Sequence, residues 1–345
     1  MDKSWSQRHE TMNYRSISNL NSDIKRWVSE LPNDLDIIVG IPRSGLLVAN
    51  LLSLHLNLPM TDVEGLCENR ILQGGVRLGN ERMPDLTKPK KVLVVDDSVF
   101  SGTQMKKVKS KLKDLESVHQ IYYAAVYIAP QSCEHVDFLY EIVDVPRVFE
   151  WNVMHHDILA NSCMDIDGIL CRDPTPREND DGDNYRKFLE NVEPLFVPTK
   201  TIGWFVSCRL EKYRKLTEEW LKRHGIRYKH LVMMDLPDKE TRLALGNHAK
   251  FKAEVYKSAK AALFIESSEG QAHEIVRLTG KPVLCTETGE MINPGLLAGS
   301  YSRGRELASK AMNDPLAALI TAPRFLKGKI DKMRWRIMAK IKKRK

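Results

Sequence analysis

Residues 92–103 read VLVVDDSVFSGT. Four apolar residues run straight into Asp96 and Asp97, and a short stretch of small, hydroxyl-bearing residues follows. Adjacent carboxylates suit hydrogen bonds from a vicinal diol such as that of ribose. The segment Ser98, Val99, Phe100, Ser101, Gly102, Thr103 leads into an amphipathic pattern, TQMKKVKSKLKDL. Its backbone N–H groups would therefore open a helix and cradle a phosphate, with Gly102 allowing close approach. Diol on the acids and phosphate in the loop together describe a sugar phosphate. A second acidic strand end follows in SCMDIDGILC (162–171), where Asp165 and Asp167 are spaced Asp-x-Asp.

These residues need strands to present them. DIIVGI (36–41), KVLVVDD (91–97) and IYYAAVYIA (121–129) read as apolar strands, separated by helical patterns such as GLLVANLLSLHLN (45–57). Continuous apolar strands alternating with helices indicate a parallel sheet covered on both faces. The alternation restarts near Ile158. CMDIDGIL, IGWFVSC (202–208), YKHLVMMD (228–235) and AALFIE (261–266) read as strands, with helices over YRKLTEEWLKRHG and AKFKAEVYKSA. The expectation is an α/β chain with two doubly wound parallel-sheet domains, 1–157 and 158–300, and a tail over 301–345. In such sheets ligands bind beyond the carboxyl ends of the strands.

Composition adds limits. Hydrophobic residues are 42% and charged residues 28% of the 345, with no apolar run long enough for a membrane span. The polar N-terminus lacks an apolar signal core, so a cytoplasmic location is expected. The six cysteines form no CxxC pair and no zinc spacing. The formal charge of +8 is local: residues 321–345 hold eleven Lys or Arg against the single acid Asp331. There Leu326, Ile330, Met333, Ile337 and Ile341 form one apolar stripe on a basic helix, a pattern suited to an anionic membrane surface. The tail thus suggests peripheral contact with the inner membrane face. No motif points to nucleic acid.

VLVVDDSVFSGT resembles the 5-phosphoribosyl-1-diphosphate (PRPP) binding motif of type I phosphoribosyltransferases. The resemblance implies that Asp96 and Asp97 are catalytic and that residues 98–103 bind the 5-phosphate. It also implies that GIPRSG (40–45) binds pyrophosphate through Arg43, Ser44 and Gly45, with Mg²⁺. The stretch 64–90 matches the mobile loop of that family, with Arg70, Arg77 and Arg82 as candidates for pyrophosphate. The N-terminal segment and PRVFEWNVMHH (146–156) would form a hood, with Trp151 stacking on an acceptor and His155 or His156 as a base.

MDIDGIL (164–170) resembles the first motif of the haloacid dehalogenase (HAD) superfamily, a Rossmann-like fold here with room for only a small cap around 177–185. The resemblance makes Asp165 the nucleophile that takes a phosphoryl group and Asp167 the acid that protonates the leaving alcohol. Ser207 matches the residue that binds phosphoryl oxygens, and Lys252, or failing that Lys250, the motif lysine. Mg²⁺ would be held by Asp165, Asp167 and Glu266, the last standing where aspartate is usual, with a further acid replaced by Ser267 or displaced to Glu269. Arg172 or Arg209 could hold a distal substrate group.

Taken together, the resemblances imply a bifunctional enzyme. It would move 5-phosphoribose from PRPP to an acceptor, expected to be a lipid-linked glycan hydroxyl, and then hydrolyse the 5-phosphate. Bacterial systems that install ribofuranose in polysaccharides are similar. The alternatives are a nucleobase phosphoribosyltransferase joined to a 5′-nucleotidase, and a PRPP-sensing regulator without catalysis.

Overall fold

The computed structural model describes residues 12–72, 78 and 83–294. Arg77, Arg82 and the expected basic helix over 321–345 lie outside the described residues. The fold is α/β, with two largely parallel sheets.

The chain opens with β1 (Asn13–Arg15) and α1 (Ile17–Trp27). Ser16 caps α1 in a reciprocal box with Asn19. The first sheet is built by β2 (Ile37–Gly40), α2 (Ser44–Leu56), β3 (Met60–Asp62), α3 (Val63–Cys67), β4 (Lys91–Val99), α4 (Thr103–Leu112), β5 (Gln120–Ile128) and β6 (Phe138–Ile142). Its order is β3-β2-β4-β5-β6, every pair parallel. β2 and the apolar run of β4 are buried throughout, because helices cover both faces. One face packs Leu20, Ile24, Trp27 and Leu52 against Leu93 and Val95; the other packs Met105, Val108 and Leu112 against Val92 and Val94.

β7 (Arg147–Phe149) then returns to pair in parallel with β1. Short 3₁₀ turns over Glu150–His155 and Asp157–Asn161 lead to β8 (Ser162–Met164). The second unit continues as α5 (Asp183–Asn191), β9 (Ile202–Leu210), α6 (Arg214–Arg223), β10 (Tyr228–Met234), α7 (Lys239–Leu245), α8 (His248–Ser258), β11 (Leu263–Glu266), α9 (Glu269–Thr279), β12 (Val283–Cys285) and β13 (Glu290–Ile292). Its order is β10-β9-β8-β11-β12-β13, with only β13 antiparallel to its neighbour.

Three expectations shift. The strand expected over CMDIDGIL ends at Met164, because the chain turns at Gly168 (φ +77°) and pairs Asp167 with Cys171 in an isolated bridge. β4 runs two residues beyond Asp97, so Ser98 and Val99 are strand, paired with β5, and only Phe100–Gly102 form the loop. The helix from Thr103 stops at Leu112 and tightens into a 3₁₀ turn. All six cysteines are unpaired. Among the described residues no helix is long and apolar enough to cross a membrane.

Candidate functional site

Asp96 and Asp97 occupy the carboxyl end of β4, the central strand of the first sheet. The Asp97 N–H donates to Asp96 Oδ1 at 2.9 Å, folding the first carboxylate back over the second residue. Burial, and then the charge of Asp97, push the Asp96 carboxyl up to about 9. Asp96 therefore favours its protonated form at neutral pH. Trp151 Nε1 donates to Asp97 Oδ2 at 2.7 Å. The indole is stacked on Phe149 (5.0 Å, 9°), which stacks in turn on Tyr127. Trp151 was expected to stack on an acceptor; here its edge aims Asp97, and one aromatic column sets its angle.

The two expected loops converge on this pair. The turn at Arg43–Gly45 opens α2 directly against β4. A Cβ on Gly45 would fall 2.6 Å from Val95 O and 3.1 Å from Asp96 Oδ1, so only glycine lets the helix start there. Arg43 is exposed and Ser44 half-buried beside it. At the other loop, Ser101 Oγ and Thr103 Oγ1 lie 2.9 Å apart at the first turn of α4. Gly102 has φ +71°, and a Cβ there would stand 1.7 Å from His135 Cδ2. The glycine is thus demanded by backbone conformation and by an imidazole beneath it, as well as by any anion above. Ser132 Oγ and Gln131 Nε2 both donate to Phe100 O, bracing the loop from the 3₁₀ turn that follows β5.

Of the other expected residues, Arg70 pairs with Asp62 and Glu68 at the surface. His155 shares a hydrogen bond with Thr199 Oγ1, and His156 Nδ1 accepts from Ile158 N–H. Burial lowers the pKa of His156, which keeps that ring neutral. Arg147 carried no expectation. It is only 8% exposed, its guanidinium lies 5.5 Å from the ring centres of both Phe100 and Phe149, and Nη1 has no partner among the described residues. Burial lowers its pKa, opposed by Asp97. A buried guanidinium between loop and hood, its Nη1 unpartnered among the described residues, is visible only in three dimensions.

The second acidic strand end is organised around Lys252 of α8. Its ammonium donates to Asp165 Oδ2 (2.5 Å), Glu266 Oε2 (2.7 Å) and Gln271 Oε1 (2.9 Å), using all three N–H bonds. Lys252 and Glu266 are buried, and Asp165 nearly so. Burial pushes the Asp165 carboxyl up to about 7; Lys252 opposes the shift, while Glu266 and Asp167 add to it. Asp167 is clasped by Arg209, with Nη2–Oδ1 at 2.6 Å and Nε–Oδ2 at 3.1 Å. Arg209 is fully buried and also reaches Thr217 Oγ1, so it holds Asp167 and is not a surface contact for substrate. Ser207 is buried on β9, its Oγ accepting from Arg209 N–H. Arg172 pairs with Glu178. Asp173, missed in the sequence, feels the charges of Asp167, Lys252 and Glu266, and burial raises its pKa.

The expected Mg²⁺ ligands at this end do not fit that role as arranged. Glu266 Oε1 already accepts from Ser267 N–H and Ser268 N–H, its other oxygen holds Lys252, and Asp167 is committed to Arg209. Among the described residues no group of three or more acidic, histidine or cysteine side chains is gathered to hold a metal ion.

Residues 11–158, less than half the chain, match the phosphoribosyl transferase domain family. An amidophosphoribosyltransferase of Synechococcus elongatus is 29% identical over 102 residues, 26% of this chain and 20% of that protein. The chain thus spans about a fifth of the length of the curated relatives it matches. Among solved structures, a xanthine-guanine-hypoxanthine phosphoribosyltransferase of Helicobacter pylori is 18% identical, over 41% of this chain and 95% of that one, with a TM-score of 0.31. A purine phosphoribosyltransferase of Pyrococcus horikoshii is 22% identical, over 41% and 93%, with a TM-score of 0.30.

Proposed function

We propose that the chain transfers 5-phosphoribose from PRPP to a glycan hydroxyl and then removes the 5-phosphate. The match of residues 11–158 to the phosphoribosyl transferase domain supports the first step at the family level. The observation that carries it is the meeting of three features. The Asp96–Asp97 pair ends β4, the Gly45 turn lies against Asp96, and the Gly102 turn opens α4 beside them. Ribose hydroxyls bind the acids, the 5-phosphate binds at Ser101–Thr103, and pyrophosphate lies near Arg43. The acceptor hydroxyl oxygen attacks the anomeric carbon, the bond to pyrophosphate breaks, and pyrophosphate leaves with the electron pair and takes up the hydroxyl proton. Positive charge that builds on the ring faces the acid pair. The adjacent carboxylate oxygens of Asp96 and Asp97 are hard donors of the kind that suit Mg²⁺ beside a pyrophosphate. When bound, it neutralises the pyrophosphate charge.

The second step rests on Asp165. Its oxygen takes the phosphoryl group, the ribose 5-oxygen leaves and collects a proton, and water later releases phosphate. Lys252 lowers the repulsion between Asp165 and the incoming anion. Asp167, ion-paired with Arg209, can deliver the proton only after leaving Arg209 and taking one up from water. No metal is invoked here, because the carboxylates at this end are already engaged.

The test is incubation of the full chain with PRPP, Mg²⁺ and a panel of glycan and nucleobase acceptors, read by mass. A glycan gaining ribose with wild type, and phosphoribose with Asp165→Asn, is expected. Formation of only a nucleotide or nucleoside overturns the glycan acceptor. Absence of pyrophosphate release with every acceptor overturns the transfer itself.

A further inference from the structure

Asp167 is not free to act at the second strand end. Arg209 is fully buried and grips both of its carboxylate oxygens, from Nη2 at 2.6 Å and from Nε at 3.1 Å. A forked arginine of this kind holds its carboxylate as the anion. Another carboxyl stands close by. A Cβ on Gly168 would fall 3.4 Å from Asp173 Oδ2 and 2.4 Å from Ser267 Oγ, and Ser267 Oγ donates to Asp167 O at 3.2 Å. The Asp173 carboxyl therefore reaches back to the turn that carries Asp167.

The local chain fixes that placement. Cys171 forms one isolated bridge with Asp167 and a second with Pro194. Arg172 Nη1 donates to Asp173 O at 3.0 Å, while the same guanidinium is forked to Glu178 and lies 4.9 Å from the Phe188 ring centre. The backbone at Asp173 is thus braced. Its side-chain oxygens have no hydrogen bond or ion pair among the described residues, and the residue opens to solvent. The charged groups that face it are Asp167, Lys252, Glu266 and Arg209, and all four belong to the second strand end. Partial burial of the carboxyl, and then the charge of Asp167, raise its pKa, which enlarges the share of the protonated form that an acid needs.

We propose that Asp173, and not Asp167, is the acid of the second step, exchanging its proton with the ribose 5-oxygen and then with water. The inference rests on the phosphatase reading above and reassigns one role within it. As an Asp165 oxygen bonds to phosphorus, the bond from phosphorus to the 5-oxygen breaks. The electron pair stays on that oxygen, and the Asp173 proton moves to it. Asp173, now a carboxylate, takes a proton from water as the water oxygen attacks phosphorus. The bond to Asp165 breaks, its electron pair returns to the Asp165 carboxylate, and phosphate leaves with Asp173 protonated again. Asp167 stays with Arg209 throughout and holds the turn against which Asp173 lies.

The experiment uses the full chain and two phosphate esters, methyl β-ribofuranoside 5-phosphate and p-nitrophenyl phosphate, in first-turnover kinetics. An alkoxide leaves only with a proton, whereas p-nitrophenolate leaves without one. Asp173→Asn, a change at an exposed side chain that folding tolerates, should slow first-turnover cleavage of the alkyl ester about 10²–10⁴-fold, and that of the aryl ester about tenfold or less. A merely structural role would slow both esters alike. Asp167→Asn, which frees Arg209 and loosens the turn, should do just that. Wild-type rates in Asp173→Asn, or equal slowing of its two esters, overturn the proposal. So does the unequal pattern appearing in Asp167→Asn instead. A wild type that cleaves neither ester overturns the second step itself, and this inference with it.

Discussion

Lys252 is the residue on which the charge balance of the second strand end turns. Its ammonium lies between Asp165 and Glu266, and all three side chains are withdrawn from water. Removing the cation leaves two buried carboxylates facing each other. Lys252→Met should destabilise the chain by about 3–5 kcal/mol at pH 8, measured by urea unfolding. The loss should shrink toward pH 5, where the Asp165 carboxyl takes up a proton. Glu266→Gln in the same chain should recover much of it. At the first strand end the sign is different. The Asp96 carboxyl is held well above its unfolded value, so the folded chain keeps a proton that the unfolded chain releases. Stability from this group is present at low pH and is lost as pH rises from about 4 toward about 9. Asp96→Asn should therefore raise the melting temperature more at pH 8 than at pH 5, while weakening PRPP binding at least about tenfold. Asp165, Asp167, Ser207 and Lys252 could be named through the resemblance of their segments to HAD motifs. Their partners Arg209 and Glu266 were named in other roles, as substrate contact and metal ligand, and Gln271 not at all, because these contacts form only through folding. His135 and Arg147 sit alone in segments without a motif.

Elements with continuous apolar runs were legible. β2, β4, β5, β9, β10 and β11 each carry three or more such residues, and helices separate most of them. The three-residue strands β1, β7, β12 and β13 were not. A strand that short has no period, and β1 and β7 pair across more than a hundred residues, as for Asn13 and Arg147. The hood was anticipated as a region, but its ribbon was not. The loop after β4 shows where element and residue meet. Gly102 combines a left-handed backbone with direct contact to His135. Gly102→Ala should cost about 2 kcal/mol or more, because backbone strain adds to the steric clash. His135→Ala in the same chain should recover the clash and not the strain. Thermal melts of the two single variants and the double variant separate these parts, and PRPP affinity should follow the loop rather than global stability.

At the scale of the whole molecule, each sheet has its own core clusters, and the hood is split between them, Phe149 and Trp151 packing with the first sheet. Met12, Val148 and Val153 belong to the hood, yet they cluster with Leu159, Met164, Ile166 and Phe205 of the second unit. Hydrogen bonds run the same way, from Met12 N–H to Asn293 Oδ1 and from Tyr14 Oη to Gly289 O. A boundary near residue 157 follows the sheets but cuts through this shared cluster. Its apolar members come from short segments around turns, which is why periodicity along the chain could not reveal it. The consequence is mechanical coupling. A hood packed on the second unit keeps Trp151, and through it Asp97, in register with the carboxyl end of the second sheet. Leu159 is fully buried at the centre of this junction. Leu159→Ala should cost about 2–5 kcal/mol through the cavity it leaves. If the cores were independent, only the second unit would lose stability. With a shared core, scanning calorimetry should show one transition in wild type that moves down as a whole in the variant. PRPP affinity at the distant Asp96–Asp97 pair should fall together with it. Two resolved transitions, with only one of them displaced, would show that each sheet folds on its own and that the hood adds nothing to the second unit.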